Sequence, residues 1–168
     1  MSYRLYLFDA DGTLRRCTIP GQPCPNRPGE WELLPGVVDW FAVQDWQTAR
    51  VGIVSNQAGV ALGYLTGWQA LALLQALATT LVAAAPGLRA AWPLWLGCCC
   101  HHWAAGCACR KPAPGLLQVA MAAQAVPPAA TIMIGDQASD QQAAAAAGCA
   151  FAWADGWFGR GRHHDSTD

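Results

Sequence analysis

Two aspartates sit two residues apart at the end of a short apolar run, in Leu7-Phe8-Asp9-Ala10-Asp11-Gly12-Thr13-Leu14. Alternate side chains of an extended chain share a face, so a strand ending at Asp9 turns both carboxylates toward one mouth. Carboxylates this close repel, and the pair demands either a shared proton or a hard divalent cation such as Mg²⁺. Gly12 permits a turn that exposes backbone N–H groups, and Thr13 sets a hydroxyl beside it. A phosphate site with a carboxylate nucleophile has this composition, although a calcium loop or a plain turn begins in the same way.

Three later stretches carry further chemistry. Five of the eight cysteines fall between Cys98 and Cys109. Choosing Cys99, His101, Cys107 and Cys109 gives Cys-x-His-x₅-Cys-x-Cys, three thiolates and an imidazole for tetrahedral Zn²⁺. Four protein ligands leave no open position, so this zinc is expected to be structural. Cys100 and His102 offer the same spacing, and the register stays open. Lys111, the only lysine beside nine arginines, follows directly. A clamped loop would fix the backbone from which its compact ammonium reaches a phosphoryl oxygen and a neighbouring carboxylate. Finally, Asp136 ends an apolar strand and Asp140 lies one helical turn later on the same side.

Composition narrows the classes. A chain of 168 residues that is 54% hydrophobic suits one domain with a substantial core, expected over residues 1–158 with a flexible tail at 159–168. A net charge of −1 and 12% charged residues supply no basic field for nucleic acid. No apolar run is read as reaching the length of a membrane span, and no secretory leader is recognised at residues 1–8. Eight cysteines without an export signal argue for metal or free thiols rather than a disulfide framework. The expectation is a cytoplasmic monomer acting on a small phosphorylated substrate.

Positioning these groups requires alternating strands and helices. Strands are expected at residues 3–8, 51–54, 91–96, 131–134 and 151–154, and helices at 36–49, 66–84, 114–125 and 141–147. Residues 15–35, with Pro20, Pro23, Pro25 and Pro28, read as an irregular loop too short to form a capping domain. Whatever covers the site must be that loop or nothing. Short connections between alternating elements imply an α/β fold with a doubly wound parallel sheet, whose sites lie beyond the strands' carboxyl ends. Asp9, Ser55 and Asp136 all fall at such ends.

The motif Asp9-x-Asp11-Gly12-Thr13 resembles the first motif of the haloacid dehalogenase (HAD) superfamily of aspartate-dependent phosphatases, and three later stretches follow in that superfamily's order. Ser55-Asn56 after a strand resembles the second motif, Lys111 the third, and Gly135-Asp136-x₃-Asp140 the fourth. The resemblance covers residues 3–154 and implies a HAD-like Rossmannoid fold. It also implies roles. Asp9 would be the nucleophile and Asp11 the acid and base, with Thr13, Ser55, Asn56, Arg110 and Lys111 contacting phosphate or substrate, and Asp9, Asp11, Asp136 and Asp140 around Mg²⁺.

The cysteine loop before Arg110-Lys111-Pro112 resembles a small capless branch that contains phosphatases of heptose 1,7-bisphosphate and of histidinol phosphate. Residues 55–63 resemble the heptose enzymes' loop more closely. Ala10, Ala58, Leu62 and Gln137 depart from that branch's usual Arg, Ser, Arg and Lys, each removing a polar or charged group near the substrate. The resemblance therefore implies a phosphorylated sugar, heptose 1,7-bisphosphate first, with Arg15, Arg16 and Arg110 available to a second phosphate. Histidinol phosphate, 3′-phosphorylated nucleic acid ends, and a zinc-stabilised binding module without catalysis are the rival readings.

Overall fold

The computed structural model describes residues 3–161. Strands β1 (Leu5–Phe8), β4 (Arg50–Asn56), β5 (Trp95–Cys99), β6 (Thr131–Gly135) and β7 (Ala150–Trp153) form one sheet in the order β5-β4-β1-β6-β7. Every pairing in it is parallel. Between β1 and β4 come a two-stranded antiparallel hairpin, β2 (Arg15–Cys17) and β3 (Trp31–Leu33), and the short helix α1 (Val37–Ala42). Helices α2 (Gly67–Ala84), α3 (Gly115–Ala123), α4 (Ala138–Ala147) and α5 (Ala154–Trp157) complete the fold. The doubly wound parallel sheet is as expected.

Both faces of the sheet are covered, which is why its strands are apolar almost throughout. Successive side chains alternate: Phe8, Ile53, Ile132 and Ile134 point to one side, Leu7, Val54 and Met133 to the other. The first side packs on Phe41, Trp46, Leu74, Leu77 and Leu81 from α1, α2 and the turn between. The second packs on Leu117, Ala120, Ala143 and Ala144 of α3 and α4. From β1 the chain winds outward through β4 and β5, then crosses back to β6 and β7. The winding thus reverses beside β1, where a crevice opens at the strand ends.

Several boundaries differ from the sequence reading. The helix expected to run to residue 49 stops at Ala42. Trp46 folds back, stacks on Phe41 and donates its indole N–H to the Phe41 carbonyl at 2.9 Å, so apolar spacing that mimics another helical turn is a return packing. The expected loop at 15–35 contains the β2–β3 hairpin. The third strand begins at Trp95 rather than residue 91, after Pro93, which has no N–H for a ladder, and it extends to Cys99. Gly159 and Arg160 are not a loose tail: Arg160 pairs with Asp155 at 3.4 Å and donates to the Thr13 carbonyl at 3.2 Å. The rest of that expected tail, 162–168, lies outside the described residues.

Helix α2 also corrects the reading of apolar runs. Its 18 residues, with mean hydropathy 1.4, are by length and composition long and apolar enough to cross a membrane. In the fold one face of it packs on the core and a third of its residues are buried. Thr66 accepts from the Gln69 N–H in a capping box, and Ala70, Leu73, Leu74, Leu77, Ala78 and Leu81 form its buried face.

The aromatic packing on the α1 side gives a direct stability test. Phe41 is fully buried between Phe8 and Trp46. Phe41→Ala is expected to lower the unfolding free energy by about 3–5 kcal/mol, read as a fall in the urea midpoint at unchanged slope.

Candidate active site

Asp9 is the first residue past β1, and its N–H donates to the Ile134 carbonyl of β6 at 2.9 Å, which pins the start of the motif loop to the next strand. Lys111 arrives from the loop between β5 and α3. Its buried ammonium lies 2.5 Å from Asp9 Oδ1, 2.7 Å from Asp140 Oδ1 and 2.9 Å from the Val54 carbonyl. Burial would discharge the lysine, but Asp9 and Asp140 outweigh it and raise its pKa, so the ammonium is retained. Burial pushes the Asp9 carboxyl up to about 7 against the pull of Lys111, with Asp140 and Asp136 adding to the rise. Lys111 thus contacts two carboxylates with a third close by them, and the surplus negative charge is what a divalent cation relieves.

Carboxylate oxygens of Asp9, Asp136 and Asp140 lie within 4.8 Å of one another. The supporting bonds are local. Thr13 donates its hydroxyl to Asp136 Oδ1 at 2.9 Å, Gln137 donates its amide to Asp136 Oδ2 at 2.9 Å, and the Gln137 N–H reaches Asp140 Oδ2 at 3.1 Å. Two glycines make room: a Cβ at Gly12, where φ is 92°, would collide with the Asp136 carboxylate, and one at Gly135 would collide with Asp140. A compact set of hard oxygen donors with excess charge fits Mg²⁺.

Asp11 is held elsewhere. Its carboxylate accepts from Arg15 Nε at 2.7 Å and from Gln57 Nε2 at 2.9 Å, and it does not join the other three acids. Arg15 is fully buried, so the expectation that it could receive a second phosphate is corrected: its guanidinium is committed to Asp11 and to the Leu73 carbonyl. Arg16 is exposed and paired with Glu32. Asn56 brackets Lys111 instead of facing the cleft freely, donating to its carbonyl at 3.0 Å and accepting from its N–H at 3.1 Å. Ser55 is buried and accepts from Gln57 Nε2 at 2.7 Å. Sequence reading missed Gln57, whose one signal was its place directly after Ser55-Asn56.

The cysteine loop gathers Cys99, His101, Cys107 and Cys109. Cys99 Sγ lies 3.5 Å from His101 Nδ1 and 3.6 Å from Cys107 Sγ, while Cys109 Sγ lies 3.2 Å from His101 Nδ1 and 3.6 Å from Cys107 Sγ. A tetrahedron with Zn–S of about 2.3 Å has edges near 3.7 Å, so the donor set fits zinc. Against a burial penalty, hydrogen bonds, that from the Arg110 N–H foremost, bring the Cys107 thiol down to about 7. Burial and neighbouring sulfurs push Cys109 up to about 12. One thiolate here opposes the next, which a cation would reverse. The alternative pair is not gathered: Cys100 faces Cys98 at 3.7 Å, and His102 Nδ1 accepts from the Ala104 N–H and stacks on Trp103.

A cleft of about 490 Å³ opens above Asp9, Lys111 and Asp140. Pro23 and Cys24 from the loop joining β2 to β3 form part of its wall, so that loop does cover the site. Leu62, Tyr64 and Trp103 make much of the remainder, and Arg110 lines it from the cysteine loop.

Residues 108–162 match the model of a HAD-hydrolase-like family. Over 147 residues, 88% of the chain and 78% of the relative, the sequence is 30% identical to the D-glycero-beta-D-manno-heptose-1,7-bisphosphate 7-phosphatase of Bordetella bronchiseptica. It is 33% identical to the enzyme of the same name from Pseudomonas putida, covering 86% of the chain and 78% of that protein. The crystal structure of the Bordetella D,D-heptose 1,7-bisphosphate phosphatase, complexed with magnesium and phosphate, superposes with a TM-score of 0.72 at 29% identity, over 90% of this chain and 79% of that one.

Two measurements test the metal sites. Elemental analysis of purified protein is expected to find one zinc per chain, and Cys107→Ala is expected to lose it with a large fall in Tm, whereas Cys100→Ala keeps it. The second concerns protonation. Because the Asp9 carboxyl is raised from 3.8 to about 7, its contribution to stability is fully present below about 3.8 and is lost progressively as pH rises from there through about 7. Mg²⁺ replaces the missing proton, so its increase in Tm should be larger at about pH 8 than at about pH 6. Equal increases at both would show that Asp9 does not share the ion.

Proposed function

The chain belongs to the HAD-like phosphatases, and from that membership we propose that it hydrolyses a phosphorylated sugar through an aspartyl-phosphate on Asp9. The observation that carries this reading is Lys111 on the cleft floor, bridging Asp9 and Asp140. A nucleophilic carboxylate and a phosphate-neutralising ammonium must meet where phosphorus arrives, and this pair does.

Asp9 attacks phosphorus in line as the bond to the leaving oxygen breaks. Asp11 protonates that oxygen, then takes a proton from the water that hydrolyses the aspartyl-phosphate. Lys111, held by the Asn56 bracket, offsets charge on the phosphoryl oxygens, and Ser55 with the adjacent amides contacts the same oxygens. Asp9, Asp136 and Asp140 would hold Mg²⁺, which when bound supplies Lewis-acid neutralisation of the transferring group. Thr13 acts through Asp136. A zinc held by Cys99, His101, Cys107 and Cys109 would be structural, stiffening the loop that delivers Arg110 and Lys111.

The relatives' names support heptose 1,7-bisphosphate as the first substrate to try, and the cleft supports a ring-bearing leaving group. Leu62, Tyr64 and Trp103 offer apolar surface to a sugar ring, and Arg110 is the arginine on the cleft wall for a second phosphate. The small, mostly uncharged cleft suits a small molecule better than a nucleic acid end. Eight free cysteines fit a reducing compartment, the cytoplasm.

Asp9→Asn is expected to cut Mg²⁺-dependent phosphomonoester hydrolysis at least about 10³-fold while leaving the fold intact. Relative kcat/KM across sugar mono- and bisphosphates, histidinol phosphate, nucleotides and 3′-phosphorylated oligonucleotides decides the substrate. Preference for histidinol phosphate or an oligonucleotide over every sugar phosphate would overturn the sugar assignment.

A further inference from the structure

Arg15 is the largest charged side chain with no exposure to solvent, and the reaction described above gives it no role. Its guanidinium directs Nε to Asp11 Oδ1 at 2.7 Å, Nη2 to Asp11 Oδ2 at 3.4 Å and Nη1 to the Leu73 carbonyl at 3.1 Å, and it lies 5.6 Å from the centre of the Trp31 ring. Gln57 Nε2 adds a third donor, 2.9 Å from Asp11 Oδ2. Arg15 sits on β2, and its contacts lie just past β1 (Asp11), on β3 (Trp31) and on α2 (Leu73), so the planar fork is held by three other segments. Such a fork sets the plane of a carboxylate as a lysine cannot.

All three groups that reach Asp11 are donors, and none can accept a proton from it. Between them these donors fix the direction of both Asp11 oxygens. We infer that Arg15 is a positioning residue for the second half of the reaction, orienting Asp11 to accept a proton from the hydrolytic water. This rests on the phosphatase reading given above. In that step water oxygen bonds to phosphorus, the bond from phosphorus to the Asp9 oxygen breaks, and its electron pair returns to the Asp9 carboxylate. The water proton passes to Asp11, which then carries it to the leaving oxygen of the next turnover. Arg15 therefore matters most after the aspartyl-phosphate has formed.

An aryl phosphate separates the halves, because a good leaving group departs without help from an acid. Rapid-quench kinetics with p-nitrophenyl phosphate and Mg²⁺ should show that Arg15→Met leaves the phenol-releasing burst within about threefold of wild type. The steady-state rate should fall about 10²-fold, with trapped phosphoenzyme approaching one per chain. Arg15→Lys, which keeps the charge but loses the fork, should recover only part of that rate. A merely structural arginine would slow both phases in proportion, and that result, or no change in either, overturns the inference. If neither variant folds, as judged by circular dichroism, Gln57→Leu takes their place: it strips the third donor and must show the same split, smaller in size. Wild-type protein that forms no phosphoenzyme, or an Asp9→Asn variant that retains its activity, would instead overturn the phosphatase reading itself.

Discussion

A single ammonium, buried where the sheet's winding reverses, sets the terms for everything around it. Lys111 Nζ contacts Asp9 and Asp140, on opposite sides of the crevice, together with the Val54 carbonyl. Removing a lysine from water is costly unless partners surround it, and each partner here comes from a different strand end or helix start. The parallel sheet supplies that convergence: β1, β4 and β6 all end at the same edge. The ammonium does not balance the acids, however. Asp136 adds a third carboxylate, and its charge and that of Asp140 reinforce the rise that burial imposes on Asp9, a surplus of negative charge that a divalent cation would offset.

The loop bearing Lys111 belongs to no regular element, so its precision has to come from its anchors. On one side, Asn56 brackets the Lys111 backbone with two hydrogen bonds from the end of β4. On the other, the Cys99, His101, Cys107 and Cys109 group ties the loop to the end of β5. Lys111 is thereby referenced to two adjacent strands. A chain with so few charges places its fixed ones carefully: Arg15 and Lys111 are both fully or almost fully buried, and each faces one of the two motif aspartates.

That division separates the two aspartates chemically even though they lie two residues apart. Asp9 shares its surroundings with acids and Lys111, and Asp11 with Arg15 and Gln57. Gly12, just after the pair, makes room on the Asp9 side, because at its positive φ the missing Cβ admits the Asp136 carboxylate against the motif loop. The outer cleft is built differently, with apolar surface from Leu62, Tyr64 and Trp103 beside polar groups, Gln22 and Asn26 of the loop between β2 and β3 and Arg110 of the cysteine loop.

Much of the fold could be read from local pattern. Apolar runs at β1, β4 and β6, each ending in a polar residue, indicate strands covered on both faces with their chemistry at one edge. The order of Asp9, Ser55, Lys111 and Asp136 along the chain then indicates which residues meet. Helix lengths read less well: Trp46 has the right spacing for another turn of α1, but whether it continues the helix or folds back on Phe41 is decided by aromatic packing several residues away. Sequence spacing likewise left Cys100 with His102 open as an alternative to Cys99 with His101. The extension of β5 to Cys99 separates them, because alternation along the strand sends Cys99 inward and pairs Cys100 with Cys98. The largest reversal is Arg15. An arginine close behind a catalytic motif looks like a free cation for substrate, and only the hairpin that β2 makes with β3 beneath α2 turns it inward onto Asp11. Residue type states which charge is available, whereas burial and the nearest opposite charge, both set by distant segments, determine what that charge does.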